Sequence, residues 1–281
     1  MAITVSLQAL LEGKQVASSK LSSKLVDELI TEGLLIVDAH GSKKSYRARN
    51  IEALQQYLMD KDESYRVLEV NSASSRASMA TKTGNSKLVT VRSCPGFPVN
   101  SYEPIECQLD NEPFSVNPMK GCFLFVTEWE KFTIPNDITV IGIENMENFR
   151  MIRQTREFIE KYLRAHGLPI KALFVSRYPQ STDLRKWLTS IPNHYLHFGD
   201  FDLAGIHIFL SEFQQYLGSS HSSFLIPEDI ASRLKFGSSK RFNEQYNRYN
   251  GISSDIPELQ ELINLIMHYR KGYDQEGYIN L

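Results

Sequence analysis

The period of the hydrophobic positions changes along the chain and marks out its elements. Ser6–Glu12 is a short amphipathic segment. Ser22–Glu32 is a better helix: Leu25, Val26, Leu29 and Ile30 share one face, and Gly33 supplies a stop. Leu34–Val37 then reads as a strand, Ala39–Ser42 as a turn and Lys44–Arg49 as a returning strand. Beyond residue 137 the pattern becomes regular. Ile138–Ile143, Ala172–Val175, Tyr195–Phe198 and Ser223–Ile226 are short apolar runs suited to buried strands. Helical patterns separate them. One long helix carries Phe149, Ile152, Ile159, Tyr162 and Leu163 and ends at Gly167 and Pro169. A second carries Leu184, Trp187, Leu188 and Ile191, with Ser181 or Thr182 as its cap. A third carries Ile206, Phe209, Leu210, Phe213 and Leu217. This alternation predicts an α/β domain with a parallel sheet and helices on its faces. Leu259, Leu262, Ile263 and Ile266 predict helices in the remainder.

Three regions follow from this reading. Residues 1–62 form a winged-helix-like module: two helices, then a hairpin with a basic tip and return strand. Lys43, Lys44 and Arg47 on that hairpin are candidates for DNA phosphates. Winged helices also serve as protein–protein modules. Eight Lys/Arg stand against seven Asp/Glu over residues 1–61, so charge does not decide between the two uses. Residues 63–134 form a basic linker with a small β-containing region. Within it, Val70–Tyr102 holds Arg76, Lys82, Lys87 and Arg92 and no acid. It reads either as a solvated linker or as an arm that clamps phosphates. Gly121–Val126 reads as a strand closing this region. Residues 135–281 hold the α/β domain and its C-terminal helices.

Composition changes this picture little. Hydrophobic residues are 42% and charged residues 23% of 281, which permits a sizeable core. The net charge of −2 means that any nucleic-acid contact relies on local positive charge or on a partner. Cys94, Cys107 and Cys122 have no C-x-x-C spacing and suggest neither zinc nor a disulfide framework. No signal peptide and no run of ~20 apolar residues is evident, so the reading is cytoplasmic, with no membrane.

The chemistry gathers where ligands bind in parallel α/β sheets, outside the carboxyl ends of strands. Glu144 follows the first regular strand, and Asp200 and Asp202 follow the third. A side-chain period of two places both aspartates on one side. Three carboxylates without His or Cys suit a hard cation such as Mg²⁺, with Mn²⁺ an alternative. Asp202 also precedes a helix and could act as an N-cap. Arg177 and Arg185 are candidates for holding phosphate. Arg185 could equally pair with Asp183. His197 reads as a satisfied core residue, while His207 and Glu276 are weaker site candidates.

Val140–Asn145 followed by Phe149, with Gly199-Asp200-Phe201-Asp202-Leu203-Ala204-Gly205, resembles the Toprim domain of topoisomerases, bacterial primases and a group of nucleases. Ser176–Arg185, with its Tyr178-Pro179 and later arginine, is similar to a segment of the topoisomerase VI A subunit. Those enzymes cut through a tyrosine in the winged-helix part. Tyr46, Tyr57 and Tyr65 lack the neighbours of that motif, which favours hydrolysis over strand transfer. The two acidic motifs and the tail Gly272–Glu276 resemble the Toprim nuclease subunit of Wadjet-type anti-plasmid systems. That resemblance implies an Mg²⁺-dependent DNA endonuclease, an SMC/condensin-like ATPase complex as partner, and a homodimer for double-strand cutting. The alternatives are a non-catalytic DNA- or protein-binding adaptor with a degenerate Toprim domain, and nucleotidyl transfer, which the lack of zinc-ribbon cysteines disfavours.

Overall fold

The computed structural model describes residues 5–41, 43–61 and 94–279, in two compact units divided after Ser93. The N-terminal unit runs α1 (Val5–Leu11), β1 (Val16–Ala17), α2 (Ser23–Thr31), β2 (Leu35–His40), β3 (Lys43–Ala48) and α3 (Ile51–Lys61). Ser22 caps α2 by accepting from the Leu25 N–H, and Gly33 at φ 70° takes the left-handed turn that ends it. The strands pair antiparallel in the order β1-β3-β2. Leu7, Leu10, Leu25, Leu29, Leu54 and Leu58 form its core. The helix–helix–hairpin order expected from the sequence is present, with a short extra strand and a third helix.

The C-terminal unit begins with β4 (Phe97–Ser101), β5 (Ile105–Leu109), β6 (Glu112–Val116), β7 (Leu124–Val126) and β8 (Phe132–Thr133). It continues with β9 (Thr139–Ile143), α4 (Met146–Arg150), α5 (Arg156–Ala165), β10 (Ala172–Ser176), α6 (Thr182–Ser190) and β11 (Tyr195–Phe198). Then α7 (Leu203–Ile208) runs through a π-helical stretch, Phe209–Gln214, into α8 (Gln215–Leu217). The chain closes with β12 (Ser222–Phe224), α9 (Ile230–Leu234), α10 (Ser239–Tyr249) and α11 (Pro257–Tyr269).

A six-stranded sheet, β12-β11-β9-β10-β4-β7, organises this unit, and its first four strands are mutually parallel. β4 and β7 extend it antiparallel. All five residues of β9 and of β10 are buried, which is why both read as continuous apolar runs. After β9 the chain moves to β10 on one side, then returns to β11 on the other. The connections out of β9 and β11 therefore run in opposite directions along the sheet. Right-handed crossovers put their helices on opposite faces and open a crevice between the carboxyl ends of these two neighbours.

Several expectations need correction. The expected linker Val70–Tyr102 lies outside the described residues up to residue 93, but Phe97–Ser101 is a fully buried strand paired with β10. Its low charge and Pro98 disguised it, since position 98 faces a strand at the sheet margin. The strand expected at Gly121–Val126 shrinks to three residues. The single long helix after β9 is broken into α4, a 3₁₀ turn over Ile152–Thr155 and α5. Ser181 occupies the cap position of α6 without a side-chain capping bond.

Trp187 on α6 joins the β4–β8 segment to the main sheet. It is buried, donates from Nε1 to the Phe132 carbonyl at 2.8 Å, stacks on Phe132 and touches Phe97. Trp187→Ala is expected to cost about 3–5 kcal/mol, read from urea unfolding of the whole chain. A loss below about 1 kcal/mol would show that residues 97–133 pack independently of the sheet.

Candidate active site

The crevice between β9 and β11 is built from short, local signals. Gly199 follows β11, and a Cβ there would lie 2.7 Å from both Glu144 Oε2 and His197 Nε2. Gly205 is equally constrained, since its Cβ would meet the Asp200 carbonyl at 2.3 Å. Between these glycines, Asp202 caps α7 by accepting from the Gly205 N–H at 2.8 Å. The capping role weighed for Asp202 is thus real, and it uses Oδ1. Oδ2 is turned toward α10, where Arg241 and Gln245 meet it.

Among the described residues, Asp200 and Asp202 pair with one cation, Arg241 of α10. Its Nη1 lies 3.0 Å from Asp200 Oδ2 and 3.2 Å from Asp202 Oδ2, and it also pairs with Asp274. Gln245, one turn further along α10, donates to Asp202 Oδ2 at 2.9 Å. The Asp200 carboxyl is pushed up to about 7, first by burial and then by the charges of Asp202 and Glu144, against the opposing pull of the Gln275 N–H and Arg241. The same burial and carboxylates act on Arg241, whose guanidinium is held more firmly protonated by Asp200, Asp274 and Asp202.

Glu144 stands apart from Arg241. Its Oε2 is buried and has no hydrogen-bond partner among the described residues. The facing atom is His197 Nε2, 3.7 Å away and equally without a partner. His197 is therefore only half the satisfied core residue the sequence suggested. Its Nδ1 bonds to the Tyr195 hydroxyl at 2.9 Å, and Tyr195 is wholly buried beneath Gly142. This bond fixes the ring, so that Nε2 is the nitrogen that faces Glu144.

The tail Gly272–Glu276 completes the site. Gln275 is fully buried and bonds four ways. Its N–H donates to Asp200 Oδ1 at 2.9 Å, its Nε2 to the Phe198 carbonyl at 2.9 Å, its Oε1 accepts from the Asn145 N–H, and its carbonyl accepts from Asn148 Nδ2. Glu276 accepts from Asn145 Nδ2 at 2.6 Å, so it stands beside the β9 loop rather than on Asp200.

The remaining candidates are placed as follows. Arg177 is spent on a two-pronged pair with Glu212 in the π-helical stretch, at 2.6 and 3.1 Å. Arg185 lies 4.2 Å over the Tyr216 ring, while Asp183 accepts from the Gly96 N–H. His207 is exposed on α7 against Tyr249, away from the carboxylates. Lys43, Lys44 and Arg47 are exposed on β3 of the other unit, Arg47 pairing with Asp38 at 3.3 Å. Arg241 and Gln245 escaped the sequence reading. They lie 39 to 43 residues from Asp200 and Asp202, and nothing local distinguishes Arg241 from Lys240 or Arg248.

Whether the residues suit a divalent cation turns on two observations. The donor set is all oxygen, and Glu144 Oε2 is a buried, unsatisfied acceptor, which fits a hard cation. As they stand, though, no three His, Cys, Asp or Glu side chains among the described residues are drawn together closely enough to hold one. Arg241 holds the two aspartates instead.

The raised Asp200 carboxyl predicts a pH dependence for metal-free protein. Between about 4 and about 7 the folded state holds a proton that the unfolded chain, at 3.8, releases. Stability therefore falls as pH rises through that window, by at most about 1.4 kcal/mol per unit. Urea unfolding in EDTA should show this slope in wild type and lose it in Asp200→Asn. A second prediction concerns the tail. Gln275→Ala removes two side-chain bonds and should raise amide exchange across residues 272–278 without changing that of β9.

No curated protein matches the chain. Among the described residues no helix is long and apolar enough to cross a membrane. Residues 99–280, more than half of the chain, match a family described as a domain of unknown function (DUF7281), and the chain belongs to that family.

Proposed function

We propose that this protein is a divalent-cation-dependent DNA endonuclease that hydrolyses phosphodiesters with a Toprim-type site. The observation that carries the reading is the placement of Glu144 and the Asp200/Asp202 pair at the carboxyl ends of adjacent parallel strands, on either side of the sheet's switch point. Burial, and then the charges of Asp202 and Glu144, raise the Asp200 carboxyl, a cost that a resident cation offsets. The order of helices and hairpin in the N-terminal unit supports a winged-helix module, with Lys43, Lys44 and Arg47 exposed for phosphates.

Glu144, Asp200 and Asp202 would hold Mg²⁺ or Mn²⁺. When bound, such an ion supplies positive charge against the phosphoryl oxygens and the leaving oxygen. Asp202 is oriented by the start of α7, and Asp200 by the Gln275 N–H. Glu144 is the group that accepts the proton of the attacking water, with the buried His197 ring behind it at 3.7 Å. Tyrosine chemistry is unsupported. Tyr46 is buried in β3, and the Tyr57 hydroxyl donates to Glu28 and is pushed up to about 12 by that bond. Tyr65 lies outside the described residues. The resemblance to Wadjet-type nuclease subunits implies an SMC/condensin-like partner, and the net charge of −2 leaves DNA holding to local positive charge or to that partner; cutting both strands needs two sites, hence a homodimer.

A second reading is favoured by one observation, the pairing of Arg241 with both aspartates. An internally neutralised cluster suits a non-catalytic adaptor on DNA or protein. Nicking of supercoiled plasmid in Mg²⁺ or Mn²⁺, with the partner complex present, separates the two. Asp200→Ala and Glu144→Gln are each expected to lose about 100-fold or more in rate. If Asp200→Ala cuts like wild type, the nuclease reading is lost.

A further inference from the structure

Arg241 pairs with the carboxylates in an unusual way. A guanidinium normally matches one carboxylate with its two-pronged fork. Here a single nitrogen, Nη1, meets Asp200 Oδ2 at 3.0 Å, Asp202 Oδ2 at 3.2 Å and Asp274 Oδ1. One positive atom gathering three carboxylates is the arrangement of a point cation. The position is built rather than incidental. Ser238 caps α10 by accepting from the Arg241 N–H, and Ser238 and Gly272 exchange backbone bonds at 2.7 and 3.1 Å. Gly272 in turn admits Arg241, since a Cβ there would sit 2.7 Å from Asp202 Cβ and 3.4 Å from Arg241 Cδ.

The guanidinium leaves part of the site unserved. Glu144 Oε2 and the buried His197 Nε2 face each other across 3.7 Å with no other partner among the described residues. Arg241 is also a third exposed, so it has solvent to move into, with Asp274, about half exposed, at the outer side.

We infer that Arg241 is the resident counter-cation of this site and sets its affinity for divalent metal, yielding its place when metal enters. The inference rests on reading these carboxylates as a cation site. Metal and guanidinium compete for the same Asp200 and Asp202 oxygens, so the free chain binds metal weakly. A nucleic-acid phosphate that draws the guanidinium outward frees those oxygens. By linkage, phosphate and metal then strengthen each other's binding through Arg241.

The test measures Mn²⁺ binding by the electron paramagnetic resonance signal of free Mn²⁺, on the full chain, without activity. Arg241→Gln should bind Mn²⁺ about tenfold tighter than wild type, because removing the charge removes the competitor. Arg241→Lys, which keeps the charge, should stay within about threefold of wild type. A non-cleavable duplex bearing phosphorothioates should tighten Mn²⁺ binding to wild type and leave Arg241→Gln unchanged. Equal Mn²⁺ affinity in wild type and Arg241→Gln would overturn the inference and leave the cation site standing, as would weaker binding by the variant. Absence of binding in wild type and both variants would remove the cation reading itself. A wild-type measurement covers the case in which Arg241→Gln does not fold. Titrated Mg²⁺ should shift the Arg241 Nε–H resonance as the site fills, and a resonance that stays fixed while Mg²⁺ binds rejects the displacement.

Discussion

Carboxylates crowded at one end of a parallel sheet must be paid for in hydrogen bonds and counter-charge, and this constraint shapes the C-terminal unit. Glu144 and Asp200 follow adjacent strands held in register, with Phe198 opposite Ile143. Their proximity is therefore fixed by backbone pairing, and no side-chain rearrangement of the sheet relieves it. Relief comes from elsewhere in the chain. The α7 amide of Gly205 serves Asp202, the Gln275 amide serves Asp200, and Arg241 serves both. These are backbone dipoles and one fixed charge in a partly dry setting, where each is worth more than in water.

The same constraint explains why the C-terminal segment is part of the fold. Gln275 ties the end of β11, the loop after β9 and helix α4 to one another, and the Phe201–Tyr273 bridge adds a further pairing at that level. Arg233, from α9, reinforces the tail by donating to the Gly277 carbonyl and stacking over Tyr278. Truncation between α11 and Asp274 would strip Asp200 of a donor and Asp274 from Arg241, so charge balance and folding are coupled here.

Glu144 is treated differently from the aspartates. Among the described residues no fixed cation pairs with it, and its inner face meets the His197–Tyr195 pair buried among Phe209, Phe213 and Phe224. Asp200 and Asp202 face the Arg241 guanidinium within the fold, whereas Glu144 faces the His197 ring at 3.7 Å. Two acids with a counter-charge and one without form a site with unequal partners, which suits the separate tasks of holding a cation and moving a proton.

The sequence by itself determined the elements that local rules govern. The apolar runs of β9, β10 and β11 were legible because strands buried on both faces leave no polar positions. Glu144, Asp200 and Asp202 were legible because acids directly after such strands stand at their carboxyl ends. Even the capping role of Asp202 could be weighed, since a cap depends on three neighbouring residues. What only the tertiary structure decided is non-local. β4 joins the sheet through pairing with a strand more than seventy residues away, and its Pro, Asn and Ser gave no strand signal. Arg241, Gln245 and Gln275 reach Asp200 and Asp202 across 39 to 75 residues. Chain periodicity reports how a segment meets solvent and core, but which distant charge lies opposite a carboxylate is set by how helices pack, and no local pattern encodes that.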